Sequence, residues 1–209
     1  MKNIIIVGAG GFGREILYLI KDINKINPTW NIKGFIDDNA SALNNIKCDY
    51  KIIGSINEYE PDKDDFFALG IANPKTKEKI INNLKFKDAK FATLISPYAY
   101  ISGYVDLGEG CIIFPMSTIG DCVKIGNFVH IAGSMIGQDS IIGDYSTTTG
   151  YSNIVSASLG KRVFVGSHAV ILNERKIGDD AFICAGSIVF HHVKPGVKVF
   201  GYPARKINI

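Results

Sequence analysis

The stretch "IGNFVHIAGSMIGQDSIIGDYS", Ile125–Ser146, repeats a unit of about six residues, and each unit begins with isoleucine. Glycine follows the leading isoleucine in three of these four units. The fifth residue of a unit is usually small or short, as Ser140 and Ser146 are here. This pattern is the hexapeptide signature of a parallel β-helix, in which each unit supplies one short strand and one turn.

The same rhythm extends well beyond this stretch, and fifteen of its sixteen leading residues are Ile, Leu or Val. Three units make one coil, so each leading residue is expected to stack on one about eighteen residues away. Two steps are five residues long, from 131 to 136 and from 154 to 159. The leading residues are Ile101, Leu107, Ile113, Ile119, Ile125, Ile131, Ile136, Ile142, Thr148, Ile154, Leu159, Val165, Ile171, Ile177, Ile183 and Val189.

Before about residue 95 the pattern is different and indicates an α/β domain. Continuous apolar runs predict buried parallel strands, and an apolar face or an Asn cap followed by Pro predicts helices. We therefore predict a Rossmann-like β-α-β domain over residues 1–94, followed by an all-β parallel β-helix with a C-terminal tail over 95–209. The predicted strands are Asn3–Ala9, Ile32–Asp38, Tyr50–Gly54 and Asp65–Ile71, and the predicted helices are Gly13–Ile23 and Asn73–Lys85.

The composition excludes several classes of protein. Apolar residues make up 46% of the 209 residues and charged residues 21%, which predicts a packed core. A net charge of +3 without a Lys/Arg run disfavours a nucleic-acid partner. Glycines, Arg14 and Glu15 interrupt the apolar start, so we expect neither a signal peptide nor a membrane span, and a cytoplasmic location. Four cysteines without a C-x-x-C pair are interpreted as buried thiols: Cys48, Cys111, Cys122 and Cys184.

A glycine motif lies between the first predicted strand and the first helix. The sequence "GAGGFG" satisfies G-x-G-x-x-G with Gly8, Gly10 and Gly13. Such a turn lets the backbone approach a phosphate at the N-terminus of a helix. Asp37 and Asp38 follow the second strand, where such units place a carboxylate for a ribose or base. The alternative is a tight strand–helix turn without a ligand. A dinucleotide is disfavoured because ninety residues leave no room for a second mononucleotide half.

Taken together, these elements resemble the sialic acid O-acetyltransferase and bacillosamine N-acetyltransferase family of hexapeptide-repeat sugar acyltransferases. The resemblance covers nearly the whole chain and rests on motifs in this order: "GAGGFGRE", "GFIDDN", "ALGIAN", the hexad array, "ICAGSIV" and "GYPARKI". It implies a left-handed β-helix, a homotrimer and acyl transfer from acetyl-CoA or another acyl-CoA to a nucleotide-linked sugar. Such reactions supply precursors of surface glycans or glycoproteins.

The resemblance also implies roles for individual residues. Phe12 departs from the histidine that is usual in the family, so one side-chain hydrogen bond is lost there. The donor is expected to contact Thr147, Ser167 and Ala185. The residues expected to contact the nucleotide sugar are Gly10, Gly11, Phe12, Asp37, Asp38 and Gly70.

The expected general base of the family is missing. In relatives a histidine followed by Glu or Asp takes the proton, because the carboxylate orients the imidazole and raises its basicity. Here the pair is Gln138-Asp139, and a glutamine amide cannot accept a proton near neutral pH. A second family histidine, which contacts acetyl-CoA, falls on Thr147. Two imidazoles are thus absent together, which indicates a changed mechanism or a changed role.

Four histidines remain, and each is interpreted first as a surface or corner residue. His168 is the best candidate for a substitute base because its segment borders the expected thioester, and His130 is second. His191 and His192 lie in the last unit. A neutral amino group is itself a nucleophile, so an amine acceptor needs no base, whereas a hydroxyl acceptor must lose its proton as the bond forms.

The sequence therefore favours a sugar N-acyltransferase. The first alternative is a non-catalytic relative that binds a nucleotide sugar and has a regulatory or assembly role. The second is an O-acetyltransferase, and a nucleotide-dependent oxidoreductase is disfavoured by chain length. Neither a Ser-His-Asp order nor metal-ligand spacing is present, so neither a covalent intermediate nor a metal is expected.

Overall fold

The structure is a computed structural model that describes residues 1–208. The chain divides into two compact units, Met1–Pro97 and Tyr98–Ile209. Within the described residues, no helix is both long enough and apolar enough to cross a membrane.

The first unit contains a five-stranded parallel sheet with the strand order β3-β2-β1-β4-β5 and two helices. The predicted α/β class is confirmed, and the predicted boundaries differ by a few residues. The elements are β1 (Lys2–Val7), α1 (Gly11–Ile26), β2 (Trp30–Ile36), β3 (Ile52–Gly54), β4 (Asp65–Leu69), α2 (Pro74–Lys85), β5 (Lys90–Phe91) and β6 (Leu94–Ile95).

β1 is the central strand of this sheet, and its side chains are buried accordingly. Residues 4–7 of β1 are fully buried, as expected for a strand with neighbours on both sides. The first helix buries Ile16, Leu17 and Ile20. The predicted cap of α2 is confirmed, because the Asn73 side chain accepts a hydrogen bond from the Thr76 N–H at 3.0 Å.

Three of the four predicted strands of this unit, β1, β2 and β4, end two residues earlier than predicted, and after β1 and β2 glycine and aspartate divert the chain into turns. Gly8 follows β1 with φ +92°, a backbone conformation that favours glycine. Asp37 and Asp38 follow β2, and their carboxylates accept hydrogen bonds from loop backbone at 2.7–2.9 Å. Such local bonds compete with strand pairing.

The second unit is built from two-residue strands separated by turns. Its strands are β7 (Tyr100–Ile101), β8 (Asp106–Leu107), β9 (Ile112–Ile113), β10 (Thr118–Ile119), β11 (Lys124–Ile125), β12 (His130–Ile131), β13 (Met135–Ile136), β14 (Ile141–Ile142), β15 (Thr147–Thr148), β16 (Asn153–Ile154), β17 (Ser158–Leu159), β18 (Phe164–Val165), β19 (Val170–Ile171), β20 (Lys176–Ile177), β21 (Phe182–Ile183), β22 (Ile188–Val189), β23 (Lys198–Gly201) and β24 (Ala204–Lys206).

Every third strand belongs to the same parallel sheet, so the chain winds as a β-helix. We call the three walls sheet I (β7, β10, β13, β16, β19, β22), sheet II (β8, β11, β14, β17, β20) and sheet III (β9, β12, β15, β18, β21, then the antiparallel pair β23 and β24). Corners I, II and III are the turns that follow the strands of sheets I, II and III.

The predicted register is confirmed at every unit. All sixteen leading residues are the second residue of a strand, and they point into the core. Ile101 pairs with Ile119, eighteen residues on, and Ile119 pairs with Ile136, seventeen residues on because one step is five residues long. The single polar leading residue, Thr148, is also buried, and its Oγ1 has no hydrogen-bond partner.

The glycine that follows many leading residues is required by the stacking of coils. A Cβ on Gly120 would lie 2.6 Å from the Gln138 nitrogen in the next coil. A Cβ on Gly143 would overlap the backbone of Gly160 and Lys161 in the same way. Real Cβ atoms do not approach backbone this closely, so a side chain at Gly120 or Gly143 would push the adjacent coils apart.

Side chains continue the ladder of hydrogen bonds at corner II, where strand pairing stops. The Asn127 side chain accepts from the Glu109 N–H at 3.0 Å, and the Asp144 carboxylate accepts from the Asn127 N–H at 2.9 Å. The Asp179 carboxylate accepts from the Lys161 N–H at 2.9 Å. Each of these side chains caps the coil before its own.

The prediction that all four cysteines are buried is wrong for the exposed Cys122, and only Cys111 is fully buried. Cys111 is the fifth residue of its unit and points inward, whereas Cys122 occupies the turn position with φ +55°. That position points away from the core in this fold.

We expect the variant Gly143→Ala to lower the free energy of unfolding by about 1–3 kcal/mol, because the new Cβ must push two coils apart. Gly150→Ala is the matched control. A Cβ at Gly150 would meet nothing closer than the Ser167 Oγ at 4.0 Å. Urea unfolding followed by circular dichroism measures both. Equal stability of the two variants would show that the coils are not packed as described.

Candidate functional site

The glycine turn after β1 places three glycines in three different environments. Gly8 has a positive φ, and its N–H donates to the Ile36 carbonyl at 2.8 Å. A Cβ on Gly13 would overlap the Gly8 carbonyl oxygen. Gly10, by contrast, has an ordinary extended backbone, and no atom lies within 4 Å of where its Cβ would be. Packing therefore explains Gly8 and Gly13 but leaves open space beside Gly10.

The helix that begins here has no side-chain cap at its N-terminus. Gly10 is the N-cap of α1 and supplies no side-chain hydrogen bond, and the first turn contains no acidic residue. Gly11 is exposed and Phe12 is half-buried. The positive end of the helix dipole favours a negatively charged group at this position.

Both predicted carboxylates lie beside this turn, and both hold the backbone of their surroundings. Asp37 accepts from the Ala9 N–H at 2.7 Å, which ties the glycine turn to the end of β2. Asp38 accepts from the Ile56 N–H at 2.9 Å. The sequence did not reveal this structural role. Because a carboxylate has about four acceptor positions, a ligand hydroxyl can still bind to either group.

Gly70 is explained by packing. It is buried, its N–H donates to the Val7 carbonyl at 2.7 Å, and its Cβ would lie 2.6 Å from the Gly13 Cα. Gly70 thus allows the loop after β4 to touch the glycine turn. Its predicted contact with the nucleotide sugar stays a prediction.

Gln138 and Asp139 lie at corner I, directly after β13, and both are exposed. Asp139 has φ +59°, and its N–H donates to the Asp121 carbonyl in the previous coil at 3.0 Å. Partial desolvation and the carboxylates of Asp121, Asp139 and Asp106 raise the pKa of the Cys122 thiol. The surroundings of Gln138 are therefore rich in negative charge.

His168 and Ser167 lie at corner III, on the far side of sheet I from Gln138. The exposed His168 ring stacks on Tyr151, with the ring centroids 5.2 Å apart. Ser167 Oγ donates to Thr149 Oγ1 at 3.2 Å, and its carbonyl accepts from the Gly186 N–H, next to Ala185. The structure thus brings Ser167, His168 and Ala185 together but does not bring them to Gln138 within one chain.

His130 and Thr147 occupy a third place, on sheet III. They are the first residues of β12 and β15, are direct neighbours in the sheet and are completely buried. The expectation that His130 is a surface or corner residue is wrong, because the unit boundary places it in a strand. Its burial removes it from direct contact with a soluble substrate in the single chain.

Within residues 1–208, no group of three or more His, Cys, Asp or Glu side chains is arranged to hold a metal ion. The candidate residues of the first unit lie around the glycine turn, and those of the second unit lie at corners and on sheet III of a hexapeptide-repeat β-helix.

Comparisons with known proteins show what this chain is similar to. Residues 3–84 match the model of the PglD N-terminal domain. WeeI from Acinetobacter baumannii AYE is 27% identical, with a TM-score of 0.86 over 99% of this chain and 100% of that chain. The chain is therefore similar to hexapeptide-repeat sugar acyltransferases over nearly its whole length.

Two further relatives show how widely the fold is shared. PerB from Caulobacter crescentus, solved in complex with CoA and GDP-perosamine, is 20% identical, with a TM-score of 0.89 over 100% of this chain and 98% of that chain. This likeness confirms the predicted left-handed β-helix. The bifunctional protein GlmU of Anaplasma marginale is 26% identical over 137 residues, which are 62% of this chain but only 32% of GlmU.

We predict that Gly10→Ala and Gly13→Ala will separate binding from folding. Gly13→Ala should lower the free energy of unfolding by about 1–3 kcal/mol because its Cβ overlaps backbone. Gly10→Ala should leave stability nearly unchanged but weaken nucleotide-sugar binding, because its methyl group enters the open space. Thermal unfolding and calorimetric titration measure the two effects. Unchanged affinity in a folded Gly10→Ala variant would place the ligand elsewhere.

Proposed function

We propose that this chain is an acyl-CoA-dependent sugar N-acyltransferase, which moves an acetyl or longer acyl group to the amino group of a nucleotide-linked sugar. The corner at Gln138 carries the proposal. It is exposed, and two aspartates lie beside it, Asp139 in the same turn and Asp121 in the turn of the previous coil. Across residues 1–208, none of the four histidines lies in this turn or in the adjacent turns of corner I. Such a site suits a basic amine and does not suit a hydroxyl group that must be deprotonated.

The comparisons support both the acyl-CoA donor and the nucleotide-linked amino sugar as substrates. PerB is solved with CoA and GDP-perosamine, a nucleotide-linked amino sugar, and is described as an N-acetyltransferase. The PglD N-terminal domain covers residues 3–84, which contain the open Gly10 turn and the uncapped start of α1. We assign the nucleotide diphosphate to that turn.

In the proposed reaction the amine nitrogen attacks the thioester carbonyl carbon, a C–N bond forms and the C–S bond breaks. The nitrogen loses one proton and the CoA thiolate gains one, so solvent can carry the proton. Gln138 orients the amine through its Oε1 or polarises the thioester oxygen through its Nε2 donor. Asp139 and its neighbouring carboxylates attract the amine in its cationic form.

The residue at the same corner, Gln138, also favours one alternative, a protein without catalytic activity. Because a glutamine amide cannot take a proton, the chain could bind a nucleotide sugar without modifying it and act in regulation or assembly. Transfer to a hydroxyl group is the weaker alternative, since general-base assistance is typically worth about 10²–10⁴ in rate.

The direct test incubates the protein with acetyl-CoA and UDP-, dTDP- or GDP-linked amino sugars, with the corresponding hydroxyl sugars as matched controls. Mass spectrometry should detect acetylation of an amino sugar only. Transfer to hydroxyl sugars alone would establish an O-acetyltransferase. Binding without any product would establish the non-catalytic alternative.

If the protein acetylates an amino sugar, the pH profile of the reaction should show that no enzyme base takes part. We expect kcat/KM to rise with the ionisation of the substrate amine, with no additional limb near pH 6.5 from an enzyme imidazole. Gln138→Ala should lower kcat/KM by up to roughly 10²-fold, as expected for one positioning contact. His168→Asn is the control and should retain activity. Its inactivity with intact donor binding would identify His168 as the base.

We also propose a homotrimer, with sheet I at the contact between subunits. The outer face of sheet I carries mostly apolar or uncharged residues, whereas that of sheet II carries charges. The outward residues of sheet I are Tyr100, Thr118, Met135, Asn153, Val170 and Ile188, and those of sheet II are Asp106, Lys124, Ile141, Ser158 and Lys176. Corners I and III flank sheet I, so a neighbour on this face would bring His168 of one chain towards Gln138 of the next.

Two matched lysine substitutions test this assembly. Met135 is 52% exposed on sheet I, and Ile141 is 46% exposed on the adjacent strand of sheet II. Light scattering of the wild type should give about three times the chain mass of 22.8 kDa. Met135→Lys should produce monomers because it buries a charge, and Ile141→Lys should not. A monomeric wild type, or dissociation by Ile141→Lys alone, would contradict the proposed contact.

A further inference from the structure

Arg175 breaks the pattern of the β-helix at an inward-pointing position. It is the fifth residue of the unit that begins at Ile171, and the equivalent residues in the adjacent coils are Ala157 and Val193. All the other fifth residues of corner I are Val, Ser or Ala. The carbon chain of Arg175 therefore begins at a core position, although its guanidinium group is charged at any physiological pH.

The guanidinium group of Arg175 lacks some of the partners that a partly buried charge needs. Its Nε is buried and has no hydrogen-bond partner, while the residue as a whole retains partial exposure. Across the described residues 1–208, no carboxylate forms an ion pair with it, including that of the adjacent Glu174. Arg162, which is also partly buried, pairs with Asp180 at 2.9 Å. A buried donor without a partner is costly, so Arg175 is poised for an anion.

A second donor lies against the same peptide. The Lys176 N–H donates to Nδ1 of His192 at 3.0 Å. In a neutral imidazole this leaves the proton on Nε2, and His192 is exposed, so its Nε2–H is available to a ligand. The exposed ammonium of Lys176 adds positive charge next to both groups. Arg175 and Lys176 are consecutive, and His192 accepts from the Lys176 N–H, so three residues with oxyanion donors lie close together along the backbone here.

The position of this set relative to Gln138 indicates the ligand. Both lie at corner I, two coils apart, which is about 10 Å along the axis for a strand spacing of roughly 4.8 Å. The turn between them, Val155–Ala157, is one residue shorter than the turns on either side, because the step from Ile154 to Leu159 is five residues long. The short turn leaves the corner recessed between the two sites.

We propose that Arg175 and His192 bind the phosphate groups of the CoA donor, with the pantetheine arm lying across the recessed turn and the thioester at Gln138. This assignment rests on the proposed function for the identity of the donor. The presence of an anion site at Arg175 rests on the geometry alone. Phosphate oxygens accept charge-assisted hydrogen bonds from a guanidinium group and hydrogen bonds from an imidazole N–H.

The test compares the wild type with Arg175→Met, which retains the length of the apolar stem and removes the charge. Arg205→Met, an exposed arginine on β24, is the matched control. Calorimetric titration with acetyl-CoA and with acetylpantetheine, which lacks the phosphates, is carried out on all three proteins. Arg175→Met should weaken acetyl-CoA binding by at least about tenfold, the value of one hydrogen bond to a charged group. Acetylpantetheine binding should not change.

The melting temperature of the free variant shows whether a loss of binding is due to misfolding. Arg175→Met removes a buried nitrogen without a partner, so the melting temperature of the free protein should stay equal or rise. Unchanged acetyl-CoA affinity, or an equal loss for acetylpantetheine, would overturn the phosphate site. If the wild type binds no acetyl-CoA, the proposed function fails. Inorganic pyrophosphate then tests the anion site by itself. A rise in melting temperature with pyrophosphate for the wild type, but not for Arg175→Met, would support the site. Dissociation of the assembly by Arg175→Met with unchanged pyrophosphate affinity would assign the guanidinium to a carboxylate of a second copy.

Discussion

The backbone of each coil in the second unit lies in direct contact with the backbone of the next, and this contact sets the position of every functional residue there. Glycine after the leading residue allows the approach, and leading residues such as Ile119 and Ile136 fill the core beneath it. At corner II glycine follows every leading residue, and a slip of one residue would place a side chain where only glycine fits, so this corner fixes the register. Residues with the same place in their units therefore form columns along the corners.

These columns explain how a site can form on a regular scaffold. A corner residue such as Gln138 has defined neighbours in the previous coil, where its backbone lies against Gly120 and the next N–H, of Asp139, donates to the Asp121 carbonyl. Changing one residue in a column alters the chemistry of the corner without altering the fold. We propose that Gln138 is a change of this kind, with a neutral amide where the resemblance implies an imidazole, and that the nearby carboxylates of Asp121 and Asp139 favour an amine acceptor.

The repeat is the most predictable part of the molecule. The hexad pattern locates all sixteen strands from β7 to β22, because one buried side chain in six residues leaves a strong signal. The Asn73 cap is equally clear, since Asn before Pro is a local feature. Long-range features are not predictable in this way: the hydrogen bond from Ala9 to Asp37 joins parts of the chain 28 residues apart. The burial of His130 and the exposure of Cys122 depend on the place of each residue within its unit, which composition and cysteine spacing do not define.

The amino-acid sequence itself contains a signal for the anion site. Arg175 occupies a fifth position, where small residues prevail, and this exception to the repeat distinguishes it from the other arginines of the chain. Gly10, by contrast, cannot be recognised as a ligand site from the sequence alone. Its motif is common to ligand-binding turns and to tight turns without a ligand, and only the three-dimensional surroundings show that its space is open.

The central claim is that acyl transfer at corner I takes place without an imidazole. A crystal structure with CoA and a nucleotide-linked amino sugar tests it most directly. We expect the acceptor nitrogen within hydrogen-bond distance of the Gln138 side chain, and no histidine of either neighbouring subunit within reach of that nitrogen. An imidazole hydrogen-bonded to the acceptor nitrogen, or an acceptor nitrogen remote from Gln138, would contradict the account.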